Sequence, residues 1–403
     1  MSSMRHRPHL LIYEPRTEGH HLVWLRFITE DLRTTDCRLT LALDDRPEAL
    51  ERIRKRLGPL LEQVAVISIW DKSGGRLGGK GVMNVAACLD QTQADRVFLN
   101  SFDEIASSLL RQAAIGRRPP ARLRGKMGGI YLRPRFLLKR GCSPNEWLKS
   151  AGFTRLMHGG WFSQLLFLDP WIQEACASRF TRTPSYFLPD PCPDDFAGGR
   201  APARAHFGIP EGRKVLLFYG AAYRRKGLHL AVEALLGLPT DSPAFLLCAG
   251  QQMDDPLIQT GLKTLVEQGR ARVISRYIFE EEEKLLFAAS DIVLLPYLQH
   301  FGNSAVLSRA GGAGKMVIAS DEELVGKLVR KNNLGLLFAS GDAAALGQTI
   351  REAVHARPEQ LDAWQAAAFR YAQQSSRAEF RRILLQSLAL TGDAPATPSG
   401  ADH

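Results

Sequence analysis

Twice along the chain, short apolar runs alternate with amphipathic stretches, and a segment dense in proline and acid separates the two series. The first series has strand-like HLLIY (9–13), RLTLAL (38–43), VAVISI (64–69) and RVFL (96–99), with a helix expected over about 20–34. The second has KVLLFYG (214–220), AFLLCAG (244–250), ARVIS (271–275), DIVLLPY (291–297) and KMVIAS (315–320). Helices are expected there over 227–238, 280–290, about 303–313, 342–355 and 358–390. Strands that alternate with helices cannot pair as hairpins; each crosses over before the next, which builds a parallel sheet covered on both faces. FLPDPCPDD (187–195) marks the boundary between the series. The expected fold is α/β, with two doubly wound Rossmann-like domains facing a cleft and a C-terminal helix. The expected bounds are 1–190 for the first domain, 191–210 for a linker, 211–372 for the second domain, 373–390 for the helix and 391–403 for a disordered tail. Ligands of such sheets bind at the carboxyl ends of strands, which makes the cleft the natural site.

Composition narrows the class. With 45% hydrophobic and 23% charged residues the chain is an ordinary globular protein, and no run of 18 apolar residues offers a membrane span. The opening MSSMRHRPHLLIYEP lacks the apolar segment and cleavage site of a secretory signal, and the six cysteines are scattered without a CxxC pair. Both point to a reducing cytoplasm, with no zinc site or disulfide framework. The net charge of +10 is concentrated: between Ile105 and Asn145 there is no acid, but there are ten cations, Arg111, Arg117, Arg118, Arg122, Arg124, Lys126, Arg133, Arg135, Lys139 and Arg140. Such a segment either is a solvated loop or attracts a polyanion: an anionic membrane face at the inner side of the membrane, or a phosphorylated acceptor. Nucleic acid is not expected, because base-stacking aromatics are sparse and no nucleic-acid-binding motif is present.

Three stretches of the second series carry chemistry. In FYGAAYRRKGLHLAVEAL, Gly220 ends a strand, the loop holds Arg224, Arg225 and Lys226, and Gly227 opens a helix. Backbone N–H groups, the helix dipole and cations converge there, as a diphosphate requires. RYIFEEEEKLLFAASDIVLLPY follows, and it contains Tyr277. PYLQHFGNSAVLSRAGGAGKMVIAS (296–320) then places His300, Gly302, Asn303 and Ser304 at a helix start, where small residues let backbone amides approach a ligand.

In order and spacing these stretches resemble the C-terminal domain of GT-B glycosyltransferases, specifically retaining family four. The matching pieces are Gly220 with Lys226-Gly227, then Ala288-Ala289-Ser290-Asp291 with Pro296, then Arg309-Ala310 with Gly314 through Ser320. The resemblance spans about 215–340. It implies a nucleotide-sugar donor, a glycan, lipid-linked or other glycoconjugate acceptor, retention of configuration, and neither metal nor other cofactor. It further implies a glycine loop after the first strand, which Gly19 with His20 and His21 fits. Arg225 and Lys226 would stabilise the leaving diphosphate. His300, Asn303 and Ser304 would contact the diphosphate or the sugar.

One departure stands out. The family pattern is Glu, seven residues, Glu, whose second member holds the ribose hydroxyls; here Phe301 and Arg309 occupy the two positions. A guanidinium only donates, so it cannot make that clamp. Arg309 is open to three readings: an anion ligand, a structural partner of a nearby acid, or a mark of lost activity. A subgroup with the pattern YxxHxGxSxxLxRAxxxGKPV resembles this chain from Tyr297 to Val317, with Met316 in place of proline, and there the arginine is a subgroup feature. His158, in RLMHGGW, is a further cleft candidate from the first domain. Asp103 and Glu104 are either acceptor-side groups or a helix cap. The rival to a transferase is a catalytically inactive GT-B-like protein that binds a nucleotide sugar or a partner. A GT-B epimerase is another enzymic alternative, and a phosphorylase is disfavoured by the lack of a cofactor-lysine motif.

Overall fold

The computed structural model describes residues 7–18, 20–138, 143–192, 199–252 and 255–390. Gly19, Lys139, Arg140, Cys142 and the expected tail 391–403 lie outside the described residues. The chain divides into two units: unit 1 runs to Leu188 and resumes at Arg381, and unit 2 is Pro189–Phe380.

Unit 1 contains, in chain order, β1 (His9–Glu14), α1 (His20–Arg33), β2 (Arg38–Leu43), α2 (Pro47–Leu57), β3 (Ala65–Ser68), α3 (Val82–Thr92), β4 (Arg96–Leu99), α4 (Asp103–Ala114), β5 (Met127–Tyr131), α5 (Pro144–His158), β6 (Phe162–Phe167), α6 (Pro170–Arg179) and β7 (Ser185–Phe187). Its sheet has the order β3-β2-β1-β4-β5-β6-β7, and every pairing is parallel. Unit 2 contains α7 (Arg200–Phe207), β8 (Lys214–Tyr219), α8 (Leu228–Leu236), β9 (Ala244–Ala249), α9 (Pro256–Glu267), β10 (Ala271–Ile274), α10 (Glu280–Ala289), β11 (Ile292–Leu295), α11 (Ala305–Gly312), β12 (Met316–Ser320), α12 (Glu323–Asn332), β13 (Gly335–Phe338), α13 (Ala343–Val354) and α14 (Pro358–Gln374), followed by α15 (Arg377–Ser387). Its sheet runs β10-β9-β8-β11-β12-β13, again all parallel.

Buried central strands carry helices on both faces, which is why they read as unbroken apolar runs: β1, β9, β11 and β12 are buried at every position. In each unit the strand order reverses beside the first strand, between β1 and β4 and between β8 and β11. Successive loops there depart to opposite sides and leave a crevice at the carboxyl ends.

The structure departs from the sequence reading in three places. The basic window contains a fully buried strand, β5, with the sequence MGGIY. Its glycines serve close approach: a Cβ on Gly129 (φ +146°) would lie 2.2 Å from the Leu99 carbonyl oxygen, and one on Gly128 would lie 2.6 Å from the Gln164 side chain. The stretch 191–210, read as linker, contains α7. Arg204 fixes that helix by donating to the Ala289 carbonyl (3.1 Å) and pairing with Asp291 (2.5 Å), whose carboxylate also caps Val215 N–H (2.7 Å). The long helix expected over 358–390 breaks at Ser375–Ser376. Ser375 O accepts from Cys192 N–H (2.8 Å), and Ser376 Oγ accepts from Glu379 N–H (3.1 Å), restarting the chain as α15. Beyond the break, Arg381 donates to Thr34 Oγ1 (2.9 Å), so the C-terminal segment belongs to unit 1.

The described cations of the basic window, Arg111 to Arg135, are all exposed. Arg122 is paired with Asp90 (2.6 Å), and Arg124 donates to the Gly159 carbonyl (3.1 Å). Among the described residues no helix is long and apolar enough to cross a membrane. The five described cysteines, Cys37, Cys88, Cys176, Cys192 and Cys248, are buried.

Candidate active site

In unit 2 the crevice is built by two loops pressed together. Gly227 (φ +73°) sits so close to the loop after β11 that a Cβ would lie 1.8 Å from the Pro296 carbonyl oxygen, so only glycine fits there. Leu298 N–H donates to Arg225 O (2.8 Å) and zips the loops. This approach delivers the cations. Lys226 Nζ donates to Tyr297 OH (2.8 Å), and the ammonium lies 4.1 Å from the centroid of the same ring. The Tyr297 hydroxyl in turn meets Ser304 Oγ (3.1 Å), and both residues are buried. Ser304 is the N-cap of α11, and its backbone N–H is taken by Asn303 Oδ1 (2.8 Å).

Arg225 Nη1 lies 2.8 Å from His300 Nδ1, and His300 Nε2 lies 3.1 Å from Asn303 O. Because arginine only donates and a carbonyl only accepts, this geometry assigns the neutral tautomer with its proton on Nε2. Lys226 is half-buried and Arg225 exposed, and among the described residues neither makes an ion pair with a carboxylate. A cationic cluster beside a helix N-terminus, with donors to spare, suits a dianionic ligand. Gly220 (φ +104°) follows β8 at this edge and packs against Gly250, whose Cβ would lie 2.3 Å from the Gly220 carbonyl oxygen. Gly302 has open space where a Cβ would stand, so local packing does not demand glycine there. Tyr277 is 61% exposed in the loop before α10, its ring edge-on to Phe279.

Arg309 takes the second of its three readings. Its Nε lies 2.5 Å from Glu283 Oε1, and Nη1 donates to the Ala305 carbonyl (3.2 Å). Burial disfavours the guanidinium charge, but Glu283 and Asp190 outweigh it and raise the Arg309 pKa. Burial, together with Glu283, pushes the neighbouring Tyr219 hydroxyl well up, so it stays protonated. Glu283 is in turn held by the arginine.

In unit 1 the crevice beside β1 and β4 holds a polar group inside an apolar frame. Glu14, fully buried, accepts from His21 Nδ1 (2.8 Å), Asn100 Nδ2 (2.6 Å) and Arg16 N–H (2.7 Å). Asn100 also donates to the His21 carbonyl (3.0 Å). His21 is therefore oriented by Glu14, a residue the sequence reading missed. His20 opens α1. Asp103 is not a cap: the N-cap of α4 is Phe102, and Asp103 Oδ2 instead accepts from Leu132 N–H (2.7 Å). Burial raises its pKa to about 6 in spite of that bond. Glu104 pairs with Arg16 (2.7 Å). His158 is separated from this group. It ends α5, at the amino edge of β6, with its ring against Phe180. Parallel strands put that edge opposite the carboxyl ends of β1 and β4.

Two doubly wound parallel units, the second with an anion-suited cluster at its switch point, define the GT-B class, and comparison with known proteins agrees. Residues 200–370 match the family described as Glycosyl transferases group 1. No curated protein sequence matches the chain. Among solved structures, Anabaena Alr3699/HepE in complex with UDP and glucose superposes with a TM-score of 0.67 at 16% identity, covering 95% of this chain and 99% of that one. WaaG, a glycosyltransferase involved in lipopolysaccharide biosynthesis, gives 0.62 at 18% identity, with coverage of 96% and 100%. Sucrose-phosphate synthase from Thermosynechococcus elongatus gives 0.66 at 15%, with coverage of 95% and 98%. The chain has the GT-B fold, and its residues 200–370 are similar to the glycosyltransferase group 1 family.

The buried Arg309–Glu283 pair generates a stability prediction. Glu283→Ala should cost roughly 3–5 kcal/mol, because it leaves a largely enclosed guanidinium without its nearest counter-charge. Urea unfolding measures this; a loss below about 1 kcal/mol would show that the pair is solvated and not structural.

Proposed function

We propose that the chain transfers a glycosyl group from a nucleotide-sugar donor held by unit 2 to an acceptor held by unit 1. The observation that carries this reading is the chain Lys226–Tyr297–Ser304, joined by Arg225 and His300, at the switch point of a domain that matches glycosyltransferase group 1. In the reaction the bond from the sugar's anomeric carbon to the diphosphate oxygen breaks, and an acceptor hydroxyl bonds to that carbon. The hydroxyl proton leaves with the diphosphate. Negative charge grows on the diphosphate as the bond breaks, and Lys226, Arg225 and the start of α11 are placed to meet it in the role a metal ion plays elsewhere. His21, oriented by Glu14, serves the acceptor side.

The finer features rest on the resemblance to retaining family four, in the subgroup with arginine in place of the second glutamate. They are retention of configuration, metal independence, and a glycan or lipid-linked acceptor. The UDP bound to HepE supports a nucleotide-sugar donor. The exposed cations from Arg111 to Arg135 support a peripheral position on an anionic membrane face on the cytoplasmic side. An inactive GT-B-like binder is the second reading, favoured by Phe301 and Arg309 where carboxylates are expected.

Lys226→Gln should lower release of nucleoside diphosphate from a turned-over nucleotide sugar by roughly 100-fold, the scale of losing one transition-state cation. Wild-type release no faster than that of the variant would favour the inactive reading. Co-sedimentation with anionic vesicles should weaken in Arg117→Gln/Arg118→Gln, whose cations are exposed; equal binding by both proteins would remove the membrane role of this segment.

A further inference from the structure

A cavity of about 1240 Å³ opens in unit 1 at the carboxyl ends of β1, β2 and β3, lined by Arg16, Arg46, Arg52, Arg76 and Lys80 around Trp70. Most of these cations are already matched. Arg16 holds Glu104 (2.7 Å), Arg46 holds Asp44 (2.7 Å) and Arg52 holds Glu18 (3.3 Å). The fourth acid on the lining, Glu48, is exposed at the rim, in the first turn of α2. Arg76 and Lys80 make no ion pair among the described residues, and Arg76 Nη1 is buried without a hydrogen-bond partner.

Local structure explains why Arg76 is held with its donors unused. Asp71 N–H bonds Gly75 O (2.8 Å) and Leu77 N–H bonds Ile69 O (3.1 Å), so 69–77 is a small hairpin. Trp70 and Arg76 are bridge partners in it, and paired positions put their side chains on one face. The Arg76 guanidinium lies 4.1 Å from the Trp70 ring centroid, and Arg46 lies 4.4 Å from the same ring. Trp70 Nε1 is anchored on Asp44 (2.9 Å). Asp44 therefore uses up Arg46 and fixes the indole, while a guanidinium held over that indole keeps the N–H donors at its own edge for a ligand. The next residues, Gly78, Gly79, Lys80 and Gly81, have no side chain beyond Lys80 to crowd the approach, and they lead into α3, whose first turn has no acid.

We infer that this pocket recognises a phosphate ester on the acceptor, with Arg76 giving the planar fork and Lys80 the second, mobile charge. A tetrahedral phosphate has oxygens for both, whereas a carboxylate is filled by one fork. The volume exceeds what a phosphate needs and leaves room for the sugar or the lipid stem that bears it. The inference rests on the transferase reading for the word acceptor, but the site itself does not depend on that reading.

The test is calorimetric titration of the full chain with glucose 6-phosphate and, separately, with short-chain phosphatidic acid below its micelle concentration. At least one should bind saturably. Arg76→Gln/Lys80→Gln should weaken that binding by roughly tenfold or more, the scale of losing two charge-assisted contacts, and Lys226→Gln should leave it unchanged. Tighter binding of the first ligand assigns a phosphorylated glycan, and tighter binding of the second a phospholipid-type acceptor. Lys80→Gln alone, at an exposed and unpaired position, guards against misfolding of the double variant and should weaken binding severalfold. Absence of saturable binding to either probe, or equal affinity in the Arg76 and Lys80 variants, overturns the inference. So does loss of binding only in Lys226→Gln, which would put the phosphate in unit 2 and leave the donor reading standing.

Discussion

A purely parallel sheet delivers every strand's carboxyl end to one edge, and reversal of strand order there is the constraint on which both candidate sites depend. Loops on either side of the reversal leave in opposite directions, so polar groups can gather between them without unpairing the sheet. In unit 2 the gap is narrowed until Gly227 touches the Pro296 carbonyl, and that contact sets Lys226 on the Tyr297 hydroxyl. In unit 1 the same reversal lets a fully buried carboxylate, Glu14, be satisfied by α1 on one side and by the residue after β4 on the other. A buried charge persists only with such partners.

The two edges divide the chemistry by charge. Unit 2 offers donors to an anion, with cations that lack carboxylate partners among the described residues. The unit 1 pocket balances three of its five cations against acids and leaves Arg76 and Lys80 over. Arg309, open on the sequence to three readings, is engaged with an acid of its own unit. It is the counter-charge of Glu283, and the pair joins α10 to α11 beneath the Tyr219 end of β8.

Much of the architecture was legible because buried parallel strands must be apolar at successive positions. HLLIY, RLTLAL, AFLLCAG and KMVIAS announced themselves. MGGIY did not: its glycines answer to the Leu99 backbone and to Gln164, contacts remote in sequence. The cationic loop, Gly227 and the His300–Ser304 helix start were readable from local spacing. Glu14 was missed because an acid at a strand end looks like the first residue of a loop. The sequence signal was its place at the end of an otherwise apolar strand. Glu283 was hidden within four consecutive glutamates, although it alone shares a helix face with buried Leu286 and Phe287, three and four residues on. The Trp70–Arg76 pairing needed the DKSGG turn to be read as a hairpin.

The central claim is that the cluster around Lys226 is a binding site for a nucleoside diphosphate. Calorimetric titration of the full chain with UDP, GDP and ADP tests it most directly. The account predicts saturable one-to-one binding of at least one of the three, weakening as salt screens the cations. No saturable binding to any of the three would contradict it.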